Sequence, residues 1–204
     1  MADWDANSPE LHRNLQELGQ RVAADAAARQ PLSSVTIKIW QASIMRGLEP
    51  TDGEPFGAYR GEAGLEDYDV EVGGLPGAPA ERVAAELAVF DRILAAQLDE
   101  MDRTVRRQHL HEDATGDTVT AVIILCAWAH GEWLRIHPFP NGNGRTARIL
   151  VNSIALRYGL PALMRVRPRP GAAYAWVAHQ AMEGNWTAAI PLFVQLYEAA
   201  LESE

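Results

Sequence analysis

The amino-acid sequence predicts a mainly α-helical bundle that carries one short β-hairpin. Two patterns and one quantity lead there. Apolar residues recur at helical spacing along most of the 204 residues, whereas from Glu49 to Pro79 the composition turns to Gly, Pro and acidic residues, with Tyr68, Val70 and Val72 alternating as in a strand. Hydrophobic residues make up 48% of the chain, enough for one sizeable core in a protein near the upper end of the ~100–200 residues usual for a single domain.

Each element has its own local reason. Ser8-Pro9-Glu10 reads as an N-cap with Pro at the first helical position, and Leu11, Leu15, Leu18 and Val22 repeat on one face until Gln30-Pro31 ends the helix. Ala23 to Ala28 is alanine-rich, which adds helix propensity. A second helix spans Ser34 to Arg46 and stops at Gly47. Residues 1–33 are read as a helical extension packed on a core domain of residues 34–204, with a flap around residues 56–73. Helices then resume over Ala80 to about Arg107, Thr118 to Ile136, Arg145 to Tyr158, Ala172 to Met182 and Thr187 to Leu201. Arg165, Arg167 and Arg169, interleaved with Pro168 and Pro170, read as an extended solvated loop.

Charge and composition exclude several classes. There are 18 basic and 27 acidic residues, a net charge of −9, so neither broad nucleic-acid binding nor attachment to an anionic membrane is expected. The single cysteine, Cys126, forbids an internal disulfide and sits in an apolar run as a small core residue. No apolar run approaches the ~20 residues that span a bilayer, and Met1-Ala-Asp-Trp-Asp lacks a basic segment followed by an apolar one; a cytoplasmic location is expected.

The chemistry is concentrated in His137-Pro138-Phe139-Pro140-Asn141-Gly142-Asn143-Gly144-Arg145-Thr146-Ala147-Arg148. Pro138 and Pro140 disfavour helix ahead of them, which places His137 on a loop. Gly142 and Gly144 allow a turn closed to other residues, after which Arg148, Ile149, Leu150 and Ile154 mark a helix. Such a turn aims several backbone N–H groups and the positive end of a helix dipole at one point, where an anion belongs. Arg145 and Arg148, three apart, add forked donors from one side. His137, with an ordinary pKa near ~6.5, is the candidate to take a proton from an attacking hydroxyl.

This stretch resembles the core motif of the Fic-domain (Fic/Doc) family, H-x-F-x-[DE]-G-N-G-R-x-x-R, at His137, Phe139, Gly142, Asn143, Gly144, Arg145 and Arg148. The likeness extends weakly over residues 35 to 201, through the helix leading into the motif, Gly57-Ala58-Tyr59-Arg60 at the start of a flap, and the closing helices. The resemblance implies a Fic-like helical bundle with a short β-hairpin flap, and a protein adenylyltransferase (AMPylase) that moves AMP from ATP to a side-chain hydroxyl of a target protein. It implies His137 as base, the Gly142, Asn143 and Gly144 loop as the α-phosphate cradle, Arg145 and Arg148 as the clamp for the outgoing phosphates, and Phe139 as the anchor of the loop. It also implies that a target segment docks on the flap at Tyr59, Arg60, Tyr68 and Val70. The flap's acidic residues, Glu62, Glu66, Asp67, Asp69 and Glu71, read by default as a solvated acidic loop, and with a segment docked there they would favour a basic one.

Two features depart from that pattern. Asn141 stands where the family has Asp or Glu, the ligand of a Mg²⁺ ion that bridges the nucleotide phosphates, and a neutral amide binds Mg²⁺ more weakly. Three outcomes follow: metal held by phosphates and water, a different phosphate-containing donor such as a phosphoryl or UMP source or else a metal-independent geometry, or a silent nucleotide- or protein-binding module. Second, the restraining helix motif [ST]-x-x-x-E-[GN] has no full match; Glu183-Gly184 comes nearest, with His179 in the Ser/Thr position, and reads as a helix end. Restraint by a separate antitoxin-like protein is the alternative the resemblance offers.

Overall fold

A computed structural model describes residues 8–48, 55–105, 115–168 and 170–202. Among them are seven α-helices and one two-stranded antiparallel sheet, so the predicted fold class holds. Helix α1 spans Pro9–Ala27; the Ser8 hydroxyl accepts from the N–H of Leu11 at 3.4 Å, as the N-cap signal predicted, and Leu11, Leu18, Val22 and Ala26 face the core. Helix α2, Ser34–Met45, is fixed at its start by Asp91, whose carboxylate accepts from the N–H and the hydroxyl of Ser34 at 2.6 Å each.

The hairpin lies later than the Tyr68–Val72 alternation suggested. Strand β1 is Glu71–Val72 and β2 is Leu75–Pro76, paired Glu71 with Pro76 and Val72 with Leu75. The reason is Gly73-Gly74, at φ 60° and 83°, which supplies the two left-handed residues of a tight two-residue turn. Helix α3, Val83–Thr104, follows a short 3-10 turn at Ala80–Arg82; its expected end at Arg107 lies outside the described residues, as do the first residues of the 49–79 loop and Arg169. Helix α4, Gly116–Ile136, begins two residues before the expected Thr118, because the Thr115 hydroxyl caps it by accepting from Thr118 N–H at 3.2 Å.

Helix α5, Asn143–Arg157, likewise starts ahead of the expected Arg145, while α6, Ala172–Met182, matches the expectation. The last helix is split: a 3-10 turn at Trp186–Ala189 precedes α7, Ile190–Leu201. Pro191 is tolerated only in a first turn, so regular α-helix begins at Ile190, next to it, and cannot begin as far upstream as Thr187.

Helix α4 is the centre of the bundle, packing on α5, α6, α7 and α3, while α1 lies against α5 and α2. It is also long and apolar enough to qualify as a membrane span by length and composition, with mean hydropathy 1.3, contrary to the expectation from sequence. Of its apolar window, 61% is buried within the fold, and the faces turned inward carry Val122, Ile123, Cys126, Trp133 and Leu134. The indole of Trp133 donates to the Thr146 hydroxyl at 2.9 Å, tying α4 to α5. The connection between these two central helices is the His137 to Gly142 loop, so the motif sits at one end of the core.

Candidate active site

Helix α4 ends at Ile136 because Pro138 disfavours helical backbone in the residue before it. His137 takes the left-handed conformation, φ 52° and ψ 57°, with its N–H still bonded to the Trp133 carbonyl at 3.0 Å. A residue with a side chain held there costs on the order of 1–3 kcal/mol and persists only where the surroundings impose it. Arg60 imposes it. Its guanidinium, 1% exposed, donates from Nε to the His137 carbonyl at 2.7 Å and from Nη2 to the carbonyls of Ala78 and Ile136 at 2.7 and 2.9 Å. Its backbone N–H donates to the Pro138 carbonyl at 2.8 Å.

The imidazole is oriented just as firmly. Nδ1 lies 3.1 Å from the Leu134 carbonyl, which can only accept, so the proton resides on Nδ1 and Nε2 carries the lone pair. Burial pushes the His137 pKa down to about 4, and the Arg60 charge adds to this, while the Leu134 bond opposes it. At neutral pH the ring is therefore uncharged and able to accept a proton.

The loop beyond it is held from inside. Phe139 is fully buried, its ring 4.9 Å from that of Tyr59 and 5.9 Å from that of Trp133. The Asn143 amide clamps the same residue, accepting from Phe139 N–H at 2.9 Å and donating to its carbonyl at 2.8 Å. The side chain of Asn143 is thus a brace of the loop; what it can offer an anion is its main-chain N–H. Gly142 is the N-cap of α5 at φ 90°, a conformation that needs glycine, and provides no side-chain acceptor. Asn143 and Gly144 line the cleft, and their N–H groups lie ahead of the helical ladder. Gly144 is in the first turn of the helix, not in the preceding turn; a Cβ there would stand 3.3 Å from Nη1 of Arg148, so its bareness admits the guanidinium.

Arg145 and Arg148 are each only 4% exposed and both line a cleft of about 490 Å³, together with His137 and with Tyr174 and His179 of α6. Arg145 donates to the Met45 sulfur at 3.7 Å. Arg148 donates to the Val166 carbonyl at 3.0 Å and to the Tyr174 hydroxyl at 3.4 Å, with its guanidinium 5.4 Å from the centre of the Tyr174 ring. The cleft therefore brings one neutral base, two fixed cations and a helix N-terminus to one wall.

The flap residues divide. Tyr59 and Arg60 are core residues and not a docking surface: Tyr59 is 8% exposed, with its hydroxyl bonded to the Ser34 carbonyl, and Arg60 is the clip just described. Tyr68 and Val70, half-buried, precede β1, and their carbonyls already accept from Arg60 Nη1 at 3.2 Å and Gly77 N–H at 3.0 Å. Three of the acidic residues are also engaged internally. Glu62 holds Lys38 at 2.5 Å, Asp69 accepts from Ala80 N–H at 2.8 Å, and Glu66 accepts from Gly64 N–H at 2.9 Å. Glu66, Asp67 and Glu71 are exposed.

Magnesium prefers anionic or water oxygens. The Asn141 side-chain oxygen instead accepts from Gly142 N–H at 2.8 Å, and its main-chain oxygen accepts from Gln41 at 3.3 Å. Among the described residues no carboxylate lines the cleft, and no group of three or more His, Cys, Asp or Glu side chains is placed to hold a metal. These residues do not fit a protein-held Mg²⁺, and Asn141 is not positioned as its ligand. Glu183 ends α6 ahead of Gly184 at φ 84°, accepting from Gln180 at 2.7 Å with His179 Nδ1 3.7 Å away.

Several supporting residues escaped the sequence reading. Gln41 on α2 bridges two loops, accepting from Gly57 N–H at 2.6 Å and donating to Asn141. Gly77 leaves room beside the base: a Cβ there would lie 2.9 Å from that of His137 and 3.1 Å from Arg60 Nη2. Buried His130, its pKa pushed down to about 3 by burial first and by Arg148 second, lies 3.0 Å from the Tyr174 hydroxyl. None of these carries a local signal, since each partner is distant in sequence.

A helical bundle whose two central helices are joined by a loop bearing a histidine and a glycine-capped helix N-terminus has the geometry of an anion-binding site. The model of the Fic/DOC family matches residues 31–155, and the chain belongs to that family. It is 40% identical over 63 residues to Protein adenylyltransferase Fic of Nematostella vectensis and 47% identical over 38 residues to that of Drosophila persimilis. These matches take in 31% and 19% of this chain and only 14% and 8% of the relatives' lengths. Among solved structures, a Fic domain containing signaling protein from Bacteroides thetaiotaomicron superposes with a TM-score of 0.63 at 20% identity, covering 95% of this chain and 67% of that one. BepC, a VirB-translocated effector of Bartonella tribocorum solved with bound AMPPNP, gives 0.60 at 16% identity over 94% and 88% of the two chains. These likenesses establish the fold.

Proposed function

We propose that the protein is a nucleotidyltransferase that moves AMP from ATP to a hydroxyl group of a protein side chain. The observation that carries this reading is the orientation of His137: the Leu134 carbonyl holds the proton on Nδ1, so Nε2 offers a lone pair to the cleft that Arg145, Arg148 and the α5 N-terminus share. In the reaction the target oxygen bonds to the α-phosphorus, the bond from that phosphorus to the α–β bridging oxygen breaks, pyrophosphate leaves, and the hydroxyl proton passes to Nε2. Arg145 and Arg148 meet the charge that grows on the leaving phosphates, and the N–H groups of Asn143 and Gly144 hold the α-phosphate. The target segment lies along β1, where Val72 and Gly73 line the cleft. The relatives named protein adenylyltransferase and the AMPPNP-bound neighbour support the choice of ATP.

Incubation with a cell extract and ATP labelled at the α- or γ-phosphate tests the reading. Protein-bound α-label that is lost in His137→Ala, with γ-label the same in both proteins, is expected. A His137-dependent difference in γ-label alone means phosphoryl transfer, and, in a parallel incubation with α-labelled UTP, a His137-dependent difference there alone means UMP transfer. Nucleotide binding without any transfer leaves a binding module.

A further inference from the structure

We propose that this site binds the polyphosphate of its nucleotide as the bare anion, without a divalent cation. The proposal rests on the nucleotide reading above and concerns how the same cleft meets phosphate charge. A protein that recruits Mg²⁺ with a nucleotide usually adds one or two carboxylates to a shell otherwise made of phosphate oxygens and water. In this cleft the position closest to such a role, Asn141, is neutral, and both of its oxygens are directed elsewhere: Oδ1 to Gly142 N–H at 2.8 Å and the main-chain oxygen to Gln41 Nε2 at 3.3 Å.

The flanking acids do not take over. Glu71 and Glu183 neighbour lining residues in sequence, yet neither is among the described residues that line the cleft, and Glu183 is turned to Gln180 and His179. Beside apolar residues such as Val72, Leu134 and Met182, the charge that lines it is cationic, from Arg145 and Arg148, next to the N-terminal residues Asn143 and Gly144 of α5. Both guanidiniums are almost wholly withdrawn from water, so they arrive at an incoming phosphate already desolvated and fixed by Met45, Val166 and Tyr174. A free triphosphate carries more negative charge than its Mg²⁺ complex. With cations on the wall and no carboxylate for a metal to join, the free anion is the better ligand.

Calorimetric titration of the whole protein with ATP and with ADP, in chelator and in millimolar Mg²⁺, reads this directly and needs no turnover. Tighter binding in chelator is the expected result. Equal binding in the two buffers, or tighter binding with Mg²⁺, overturns the proposal while leaving the nucleotide reading intact. Absence of binding in both buffers overturns both. Asn141→Asp supplies the missing carboxylate, and its thermal melt shows whether it is folded. In that variant binding in chelator should weaken several-fold and a preference for Mg²⁺ should appear. An Asp variant that is folded, with unchanged affinity in chelator and the same preference for the free nucleotide as the parent, contradicts the assignment of position 141 as the origin of the effect.

Discussion

The carbonyl oxygen of His137 accepts a 2.7 Å hydrogen bond from Nε of Arg60, a residue 77 positions earlier in the chain. The same guanidinium satisfies the carbonyls of Ala78, Ile136 and Tyr68, so one buried cation ties the end of α4, the segment before β1 and the segment after β2 to the residue that bears the base. This explains how His137 persists at φ 52°: the backbone is held on both sides, before it at the Ile136 carbonyl and after it at its own carbonyl and, through the Arg60 N–H, at that of Pro138.

Removing the clip should therefore damage stability and activity together. Arg60→Ala leaves the carbonyls of His137, Tyr68 and Ala78 without their donor, while that of Ile136 keeps the Ala78 N–H at 3.2 Å; with about 1–3 kcal/mol for each acceptor left buried and unpaired, partly relieved by entering water, a loss of about 3–5 kcal/mol is expected. Arg60→Lys should recover little, because a single ammonium cannot span the fan of acceptors. Chemical denaturation of the two variants measures the loss; a change under about 1 kcal/mol in Arg60→Ala contradicts the structural role.

His137→Ala should abolish label transfer while ATP affinity stays within about twofold, since the imidazole acts on the attacking hydroxyl and not on the bound phosphates. The wild-type pH profile adds an independent check. Burial holds the His137 pKa near about 4, so the base is neutral and competent well below pH 6, and the acidic limb of kcat/KM should fall near pH 4. A limb near the ordinary 6.5 would show that the ring is solvated in the working enzyme.

Stability carries its own pH signature. His130 and His137 are held neutral in the folded protein, with pKa values pushed to about 3 and about 4 from 6.5, so below pH 6.5 the unfolded chain takes up protons that the folded one refuses. Stability should thus be full above 6.5 and decline as pH falls from 6.5 towards 4. Glu86, held below its ordinary 4.5 chiefly by Arg135, joins only at lower pH. Melting curves between pH 7.5 and 4.5 in wild type and His130→Phe separate these contributions: the variant should show a shallower decline. An equal slope in both would remove His130 from the linkage.

How much of this was legible depended on whether the cause was local. The motif lies within twelve consecutive residues, and Pro138, Gly142 and the helical repeat after it are each local, so the base, the turn and the two arginines could be placed on their elements from sequence. Arg60 was misread as a docking residue because its acceptors are main-chain carbonyls, which leave no mark in a sequence. The same holds for Gln41, whose partners are Gly57 N–H and the Asn141 carbonyl. The hairpin slipped by several residues because side-chain alternation was weighed above the Gly73-Gly74 turn, which in fact sets the register. Asn143 looked like a phosphate ligand until the fold turned its amide onto Phe139.

Arg145→Ala and Arg148→Ala should each weaken ATP binding by roughly 1.5–3 kcal/mol if each makes a charged hydrogen bond to phosphate, and Lys at either position should restore only part of it. Unchanged affinity in both Ala variants would make the two residues structural. Their burial means that thermal melts must accompany the titrations, so that lost binding is not confused with lost fold.

Tyr174→Phe isolates how Arg148 is aimed. The Tyr174 hydroxyl stands between two buried groups, 3.4 Å from Nη1 of Arg148, which donates to it, and 3.0 Å from Nε2 of His130, whose ring burial keeps uncharged. Phe retains the aromatic face 5.4 Å from the guanidinium and nearly all the packing, yet deletes both polar contacts, so Arg148 keeps its charge and its bond to Val166 but loses one of two restraints on its fork. Losing one such bond is worth about 0.5–1.5 kcal/mol, so KM for ATP should rise by roughly two- to tenfold, and a comparable loss of stability should follow from leaving His130 without this partner. Because the clamp holds the phosphates before as well as during transfer, kcat should change less than KM. A variant that melts earlier with KM unchanged would make Tyr174 a packing residue of α6 and leave the aim of Arg148 to Val166 alone.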